Sequence, residues 1–290
     1  VTLPLAGRTV LVPRDPERAA GLAQRLEALG ATVLVAPATR TEPAPDPGAL
    51  DAAVRRLADG AYAWAVLTSA NAVRALEQAA ARVAPGDPAA LLAGAPAAWA
   101  AVGPTTRRAL EALGAAVSVV PAHERSAEGL VAVFPDPPAG ASARRVLLPQ
   151  GDLARTTLRD GLAARGWEPD VVAAYRTVPV DLPADVVRRA AAPEGAPGAD
   201  GGLDAVVLTS GSVAVQVAAQ LGTALPAVCI GRPSAEAAAD LGLDVAAVAT
   251  APTDAALADA LVRALAVPAT VSPSERAAGA GPDTTEEDPL

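Results

Sequence analysis

Two distant stretches of this chain spell one unit twice: "AWAVLTSANAVRALEQAAA" at 63–81 and "DAVVLTSGSVAVQVAAQLG" at 204–222. Each runs from apolar residues through Thr-Ser, a small residue and a polar one into a helical pattern. The repetition extends well beyond this pair. "VLVPR" (10–14) aligns with "VLLPQ" (146–150), and the same spacing matches Pro13 with Pro149, Leu22 with Leu158, Leu26 with Leu162 and Gly30 with Gly166. It holds without a gap to "TRTEP" (39–43) against "YRTVP" (175–179), where Arg, Thr and Pro coincide. At slightly different spacings the Thr-Ser units match each other and "VGPTT" (102–106) matches "IGRPS" (230–234). A chain that writes one series of segments twice, in order, is constrained to two similar domains forming a pseudo-symmetric pair.

Within each copy, short apolar runs such as "TVLVPR" (9–14) and "TVLVAP" (32–37) alternate with amphipathic helical patterns. That alternation is the signature of α/β domains built on parallel strands. Leu22, Leu26 and Leu29 fall at helical spacing, and Gly30 stands where the helix should stop. The 290 residues suit two domains of ordinary size. With 51% hydrophobic residues but a single Phe and no Met, the core must be aliphatic. The Pro/Gly/Ala-rich stretch before "WAAVGPTT" reads as a loop, and "PEGAPGADGG" (193–202) as a turn-rich surface loop. From Pro268 to Leu290 no periodic apolar residues occur and the end is acidic, so a disordered acidic tail is expected. No apolar run reaches membrane-spanning length, and "VTLPLAGRTVLV" lacks the features of a signal peptide, so a soluble cytoplasmic protein is expected.

Several chemistries are excluded by residue type. Cys229 is the single cysteine and sits in "AVCIG", the pattern of a buried strand, so a small core residue is expected rather than a nucleophile. His123 is the single histidine, which leaves little for a zinc site or a Ser-His-Asp triad and makes a loop histidine the default. All 23 basic residues are arginine, which removes Schiff-base chemistry and a Walker lysine. A net charge of −9 argues against non-specific nucleic-acid binding or docking on an anionic membrane. No Gly-x-Gly-x-x-Gly follows a strand, and no histidine-carboxylate cluster is present. No nucleotide, metal or redox cofactor is expected.

In open parallel sheets, ligands bind where strand ends turn into helices. Small and hydroxyl residues stand at five such points: Thr68-Ser69-Ala70-Asn71, Gly103-Pro104-Thr105-Thr106, Gln150-Gly151-Asp152, Thr209-Ser210-Gly211-Ser212 and Gly231-Arg232-Pro233-Ser234. Any one of them taken alone is an ordinary helix cap. Five on two domains point to anion binding at a shared cleft. One position breaks the repeat: Thr39 of the first connector is Tyr175 in the second, although the Arg, Thr and Pro around it agree. A phenol there can act as a general acid or can pack with its hydroxyl bonded.

Assembled in order from about Gly7 to Leu265, these segments resemble the uroporphyrinogen-III synthase family. "GRTVLVPR", "LEALGATVLVAP", "WAVLTSANAVRAL", "AVGPTTRRALEALG", "DAVVLTSGSVA" and "AVCIGRPSAEAAADLG" all fall where that family has its characteristic segments. The resemblance implies two α/β domains, each a parallel sheet flanked by helices, joined by a two-stranded connector with a cleft between them. A plain tandem reading would cut the chain near residue 143. The family implies instead residues 1–40 with 178–267 as one discontinuous domain and 44–172 as the other. The two "xRTxP" connectors would be the crossings between domains.

The implied activity is cofactor-free closure of hydroxymethylbilane to uroporphyrinogen III. Loss of the ring A hydroxyl as water gives an azafulvene, attack from ring D gives a spiro intermediate, and reclosure leaves ring D inverted. Free bilane closes by itself to the uninverted isomer, so control of conformation is the main task. Tyr175 matches the family's tyrosine that assists departure of the hydroxyl. Arg14, Thr68, Ser69, Ala70, Asn71, Gly103, Thr105, Thr106, Gly151, Ser210, Gly211, Ser212, Gly231, Arg232 and Ser234 are the implied contacts for the substrate's carboxylates. Arg232 and Gly211 depart from the family's pattern: Arg232 can meet a carboxylate bidentately or stand as a solvated charge, and Gly211 replaces a common proline. A monomer is expected, with transient contact to the upstream porphobilinogen deaminase. The alternatives are a two-domain cytosolic binding protein or sensor that closes on a small molecule without chemistry, and a nucleotide-dependent enzyme, which lacks its phosphate loop.

Overall fold

A computed structural model describes residues 3–122, 124, 126–138, 144–191 and 201–266. His123, most of the 193–202 loop and the 268–290 tail lie outside the described residues. In chain order the first elements are β1 (Thr9–Val12), α1 (Pro16–Ala28), β2 (Thr32–Val35), β3 (Thr39–Pro43), α2 (Pro47–Ala58), β4 (Trp64–Leu67) and α3 (Ala70–Val83). Then come α4 (Pro88–Ala93), β5 (Ala98–Ala101), α5 (Pro104–Ala112), β6 (Val117–Val119), α6 (Ala127–Val133), β7 (Arg145–Gly151), α7 (Thr157–Ala164) and β8 (Glu168–Pro179). The last are α8 (Ala184–Ala190), β9 (Ala205–Leu208), α9 (Gly211–Leu221), β10 (Ala227–Cys229), α10 (Arg232–Asp240), β11 (Val245–Val248) and α11 (Asp254–Ala266). The chain divides into two compact units, Val1–Arg40 with Pro179–Leu290, and Thr41–Val178. It passes from one to the other within β3 and again within β8.

The first unit holds a five-stranded sheet in the order β11-β10-β9-β1-β2, its pairs all parallel. Strand alternation divides its buried side chains between two faces, as a doubly covered parallel sheet requires. Val10, Val12, Ala205 and Val207 pack with α1 and α11, where Leu22, Leu26, Leu257 and Leu261 are fully buried. Leu11, Val206, Leu208 and Cys229 join Val213 and Val217 of α9 on the opposite face. At the strands' N-terminal side, Asp204 accepts the Thr9 N–H at 2.7 Å and an Arg8 Nη1 bond at 2.7 Å, fixing β1 beside β9.

The second unit holds six strands in the order β3-β8-β7-β4-β5-β6, with the pairs from β8 to β6 parallel. Ala65, Leu67, Trp99, Ala101 and Leu147 face α2, α3 and α5. Val66, Ala100, Val146 and Leu148 face a second cluster containing Leu158, Leu162, Phe134 and Trp167. Phe134 meets Trp64 in a tilted contact at 4.9 Å and Trp167 edge-on at 5.7 Å, and the Trp167 indole N–H donates to Pro135 O at 2.9 Å.

The repeat has a direct physical basis here. The matched leucines Leu22/Leu158 and Leu26/Leu162 are all buried on their sheets. Gly30 and Gly166 both end their helices with positive φ, +96° and +86°, a conformation that side chains resist. The stretch before β5 is not wholly a loop. Asp87 accepts the Ala90 N–H at 2.8 Å and Pro88 occupies the first turn, so a short helix, α4, forms there. Among the described residues no helix is long and apolar enough to cross a membrane.

Candidate functional site

In the second unit, the parallel order β8-β7-β4-β5 sets neighbouring strand ends along one edge. That edge carries Gly151 at the end of β7, the Thr68–Asn71 turn after β4 and the Gly103–Thr106 turn after β5. Tyr175 is brought to the same edge by an irregularity. Gln150 pairs with Ala173, but Gly151 pairs with Tyr175, so β8 carries one extra residue at this point. Ala174 is buried, while Tyr175 is half-buried.

The tyrosine ring lies against Gly151, where a Cβ would meet Tyr175 Cε2 and Cζ at 2.7 Å. Only glycine leaves room for it. The Tyr175 hydroxyl is 3.2 Å from Ser69 Oγ, and either oxygen can donate. Ser69 also caps α3, its Oγ accepting the Ala72 N–H at 3.1 Å. Asp152 clamps the backbone on both sides of Arg176: its N–H donates to Tyr175 O at 3.1 Å, and its Oδ1 accepts the Thr177 N–H at 3.0 Å. Arg176 reaches Glu42 Oε2 from Nε at 2.9 Å and Nη2 at 2.6 Å, tying β8 to β3.

Beside the tyrosine, a pocket of about 140 Å³ opens between β3, the start of α2 and one face of α3. Its polar lining comes from Thr41, Glu42, Asn71, Arg74, Gln78, Arg82 and Tyr175. Asn71 Nδ2 donates to Thr41 Oγ1 at 3.2 Å, and Arg74 Nη1 donates to Asn71 Oδ1 at 3.4 Å. Arg82, at the far end, is held by Asp51 through three bonds of 2.7–3.1 Å.

The turn after β5 is less open than its sequence suggests. Thr105 is exposed, but Thr106 is 5% exposed, and Gly103 starts α5 without a side-chain cap. Ser234, at the matched position of the first unit, is also 5% exposed.

In the first unit, the order β10-β9-β1 gathers the Gly231–Ser234 turn, the Ser210–Ser212 turn and Arg14 along one edge of that sheet. Ser210 Oγ caps α9 through the Val213 N–H at 3.3 Å and lies 3.0 Å from Ser212 Oγ. Gly211 brings α9 close to α10, since a Cβ would approach Ala237 Cβ to 3.1 Å. Arg232 is 67% exposed and pairs at 3.7 Å with Glu236, one helical turn on. Arg14 turns toward Asp254, with Nη1 3.5 Å from Oδ1. That nitrogen is buried and has no hydrogen-bond partner among the described residues. Cys229 is fully buried in the sheet, and burial pushes its thiol up to about 11.

Arg74 and Gln78 were not among the residues expected from sequence, and Asp152 was expected only as part of the Gln150-Gly151-Asp152 turn. Asn71, Arg74 and Gln78 follow helical spacing from the Thr-Ser turn, a polar stripe that could have marked this face of α3. A second cluster was also not foreseen. Asp170 Oδ2 accepts bonds from Tyr62 OH at 2.5 Å, Arg145 Nη2 at 2.9 Å and Arg56 Nη2 at 3.2 Å. Arg145 opens β7 and Tyr62 precedes β4, so this network lies at the strands' other end and braces the fold.

The family model described as uroporphyrinogen-III synthase HemD matches residues 20–259. A mutant uroporphyrinogen III synthase of the extreme thermophile Thermus thermophilus is similar in structure, with TM-score 0.61, 21% identity, and coverage of 89% of this chain and 99% of that one. The Helicobacter pylori uroporphyrinogen-III synthetase has TM-score 0.54 at 16% identity, covering 87% of this chain and 97% of its own. At these identities the likeness is one of fold. No curated protein sequence matches the chain.

Proposed function

We propose, from the premise that this chain belongs to the uroporphyrinogen-III synthase family, that it closes hydroxymethylbilane to uroporphyrinogen III with inversion of ring D. The family match across residues 20–259 carries this reading, and the geometry around Tyr175 supports it.

The proposed first step is loss of the ring A hydroxyl. Ser69 Oγ already accepts the Ala72 N–H, so its own proton can be donated to the phenol oxygen. The Tyr175 proton is then directed outward, where it can pass to the departing hydroxyl as the C–O bond breaks and the pyrrole nitrogen's electron pair forms the azafulvene. Ser69 would also steady the phenolate left behind. Ring D attacks the azafulvene carbon to give the spiro intermediate. One bond of the spiro centre then breaks, and reclosure at the other side of ring D, with loss of its proton, completes the inverted macrocycle. Water is the sole leaving group, which makes the reaction a lyase step without a cofactor.

The substrate's carboxylates are proposed to meet Arg14 and the turns that begin at Thr68, Gly103, Gly151, Ser210 and Gly231. Residues 1–40 with 178–267 and residues 44–172 act as the two domains. A cytoplasmic monomer that takes its unstable substrate from porphobilinogen deaminase completes the proposal.

The test is isomer analysis. Hydroxymethylbilane is generated in place by the deaminase, the products are oxidised, and type I and type III uroporphyrin are separated. A type III majority that depends on this protein supports the synthase, and a slower Tyr175→Phe variant that still makes type III assigns the tyrosine an assisting role. Type I alone, from correctly folded protein, overturns the reading.

A further inference from the structure

We propose that the pocket beside Tyr175 is a subsite for one carboxylate arm of the tetrapyrrole substrate, with Arg74 as the residue that recognises it. The proposal rests on the synthase reading above and adds a residue and a place to it.

Charge compensation singles out Arg74. Of the three ionised side chains that line the pocket, Glu42 is neutralised by Arg176 at 2.6 and 2.9 Å, and Arg82 is bound by Asp51. Arg74 has no ion pair among the described residues; its hydrogen bond, at 3.4 Å, is to the amide oxygen of Asn71. One positive charge is therefore uncompensated in a pocket of a strongly acidic protein. Exposed arginines are common, and exposure alone would mean nothing. Here the guanidinium lines a concave surface shared with the hydroxyl-bearing Tyr175, and that setting suits an anion.

The walls narrow the class of anion. Pro47, Leu50, Ala75 and Ala174 give the pocket an apolar side, while Asn71, Arg74 and Gln78 supply donors along one face of α3. A small inorganic anion has no use for the apolar side. A carboxyalkyl arm does: its methylenes lie on apolar carbon and its carboxylate meets the fork of Arg74. A pocket of about 140 Å³ has room for a short side arm of this kind. Because Tyr175 lines the same pocket, an arm seated here ties its pyrrole to the edge where the hydroxyl is lost. The subsite thus contributes to orientation rather than to bond breaking.

Steady-state kinetics of Arg74→Ala, Arg74→Lys and a charge-matched control, Arg25→Ala on α1, test the inference. Arg25 is exposed on the first unit and lies in none of the turns. Expected for Arg74→Ala is a KM raised about tenfold, the scale of one lost charge-assisted hydrogen bond, with kcat within about twofold. Arg74→Lys should recover part of the loss, and Arg25→Ala should match wild type. Since Arg74 is exposed and unpaired by any carboxylate, the melting temperature should not move. An unchanged KM in Arg74→Ala, or an equal rise in Arg25→Ala, overturns the arginine's role while wild-type formation of type III leaves the synthase reading intact. A wild-type protein that forms no type III overturns both.

Discussion

Replacing Gly151 with alanine should impair the same step as removing the Tyr175 hydroxyl, without touching the tyrosine. A Cβ at 151 would stand 2.7 Å from Tyr175 Cε2 and Cζ and 3.0 Å from its hydroxyl. Carbon atoms settle at about 3.5–4.0 Å, so the ring must retreat by about 1 Å. That movement is enough to carry the 3.2 Å contact with Ser69 Oγ beyond hydrogen-bond range. The clashing atoms belong to the far end of a half-buried side chain, and Gly151 has no positive φ, so the fold absorbs the change cheaply. Overpacking costs about 1–3 kcal/mol in a tight core, and less beside a ring that can swing; the lost chain entropy of glycine returns about 0.4–1 kcal/mol. Stability should therefore stay within about 1 kcal/mol of wild type by urea titration. Misplacement by about 1 Å can cost up to about a hundredfold in rate, and Tyr175→Phe sets the ceiling. In the isomer assay, Gly151→Ala should lower kcat by about tenfold, and Gly151→Ala with Tyr175→Phe should be no slower than Tyr175→Phe alone. Additive losses in the double variant, or full activity in Gly151→Ala beside an impaired Tyr175→Phe, would refute the coupling.

Other outcomes follow from the same contacts. Asp170→Ala removes the acceptor of the buried Tyr62 hydroxyl and the partner of two part-exposed arginines, and should cost about 1–3 kcal/mol in denaturant titrations while kcat per folded molecule stays unchanged. Burial first, and then the bond to Asp170, hold the Tyr62 phenol above its ordinary value. The folded chain thus keeps a proton that the unfolded chain releases at about pH 10; this stabilisation is full below that pH and is lost as pH rises further. Wild type should accordingly lose more stability than Tyr62→Phe between pH 8 and pH 11. Cys229, fully buried and raised to about 11, should resist a thiol reagent at pH 8 in the native protein and react at once in denaturant; rapid native labelling would mean that β10 opens.

The parallel sheets were legible because burial there is periodic. Val10, Leu11 and Val12 show an unbroken apolar run because both faces of β1 are covered. The matched leucines and terminal glycines of α1 and α7 recur because each does the same work on its own sheet. A proline beside aspartate misled at one place, before β5. Asp15-Pro16, Asp46-Pro47 and Asp87-Pro88 each place a capping carboxylate before a proline in the first helical turn. Near "PERAAGLAQRLEALG" the leucine spacing makes the helix plain. At 88–93 only "PAALLA" follows, too short to show a period, and it reads as loop.

The candidate site was legible in a different way. Ser69 and Ser210, the hydroxyls that recur most conspicuously, turn out to cap α3 and α9 by the same bond to the third amide of the helix. Agreement between the copies therefore marks shared structure, and it offers no means of telling which cap also meets a ligand. What separates them is a neighbour that only one copy has. Tyr175 replaces the Thr39 of the first copy, and Gly151, at the same spacing, replaces Asp15, the residue that caps α1. Each substitution read alone is ordinary: a tyrosine in a strand, a glycine at a turn. Their relation depends on the extra residue in β8, which sets Tyr175 rather than Ala174 opposite Gly151, and no periodicity encodes such a shift. Once that register is known, the two departures from the repeat become one: the glycine gives up its side chain so that the phenol can stand at the sheet edge, within reach of the serine that both copies kept.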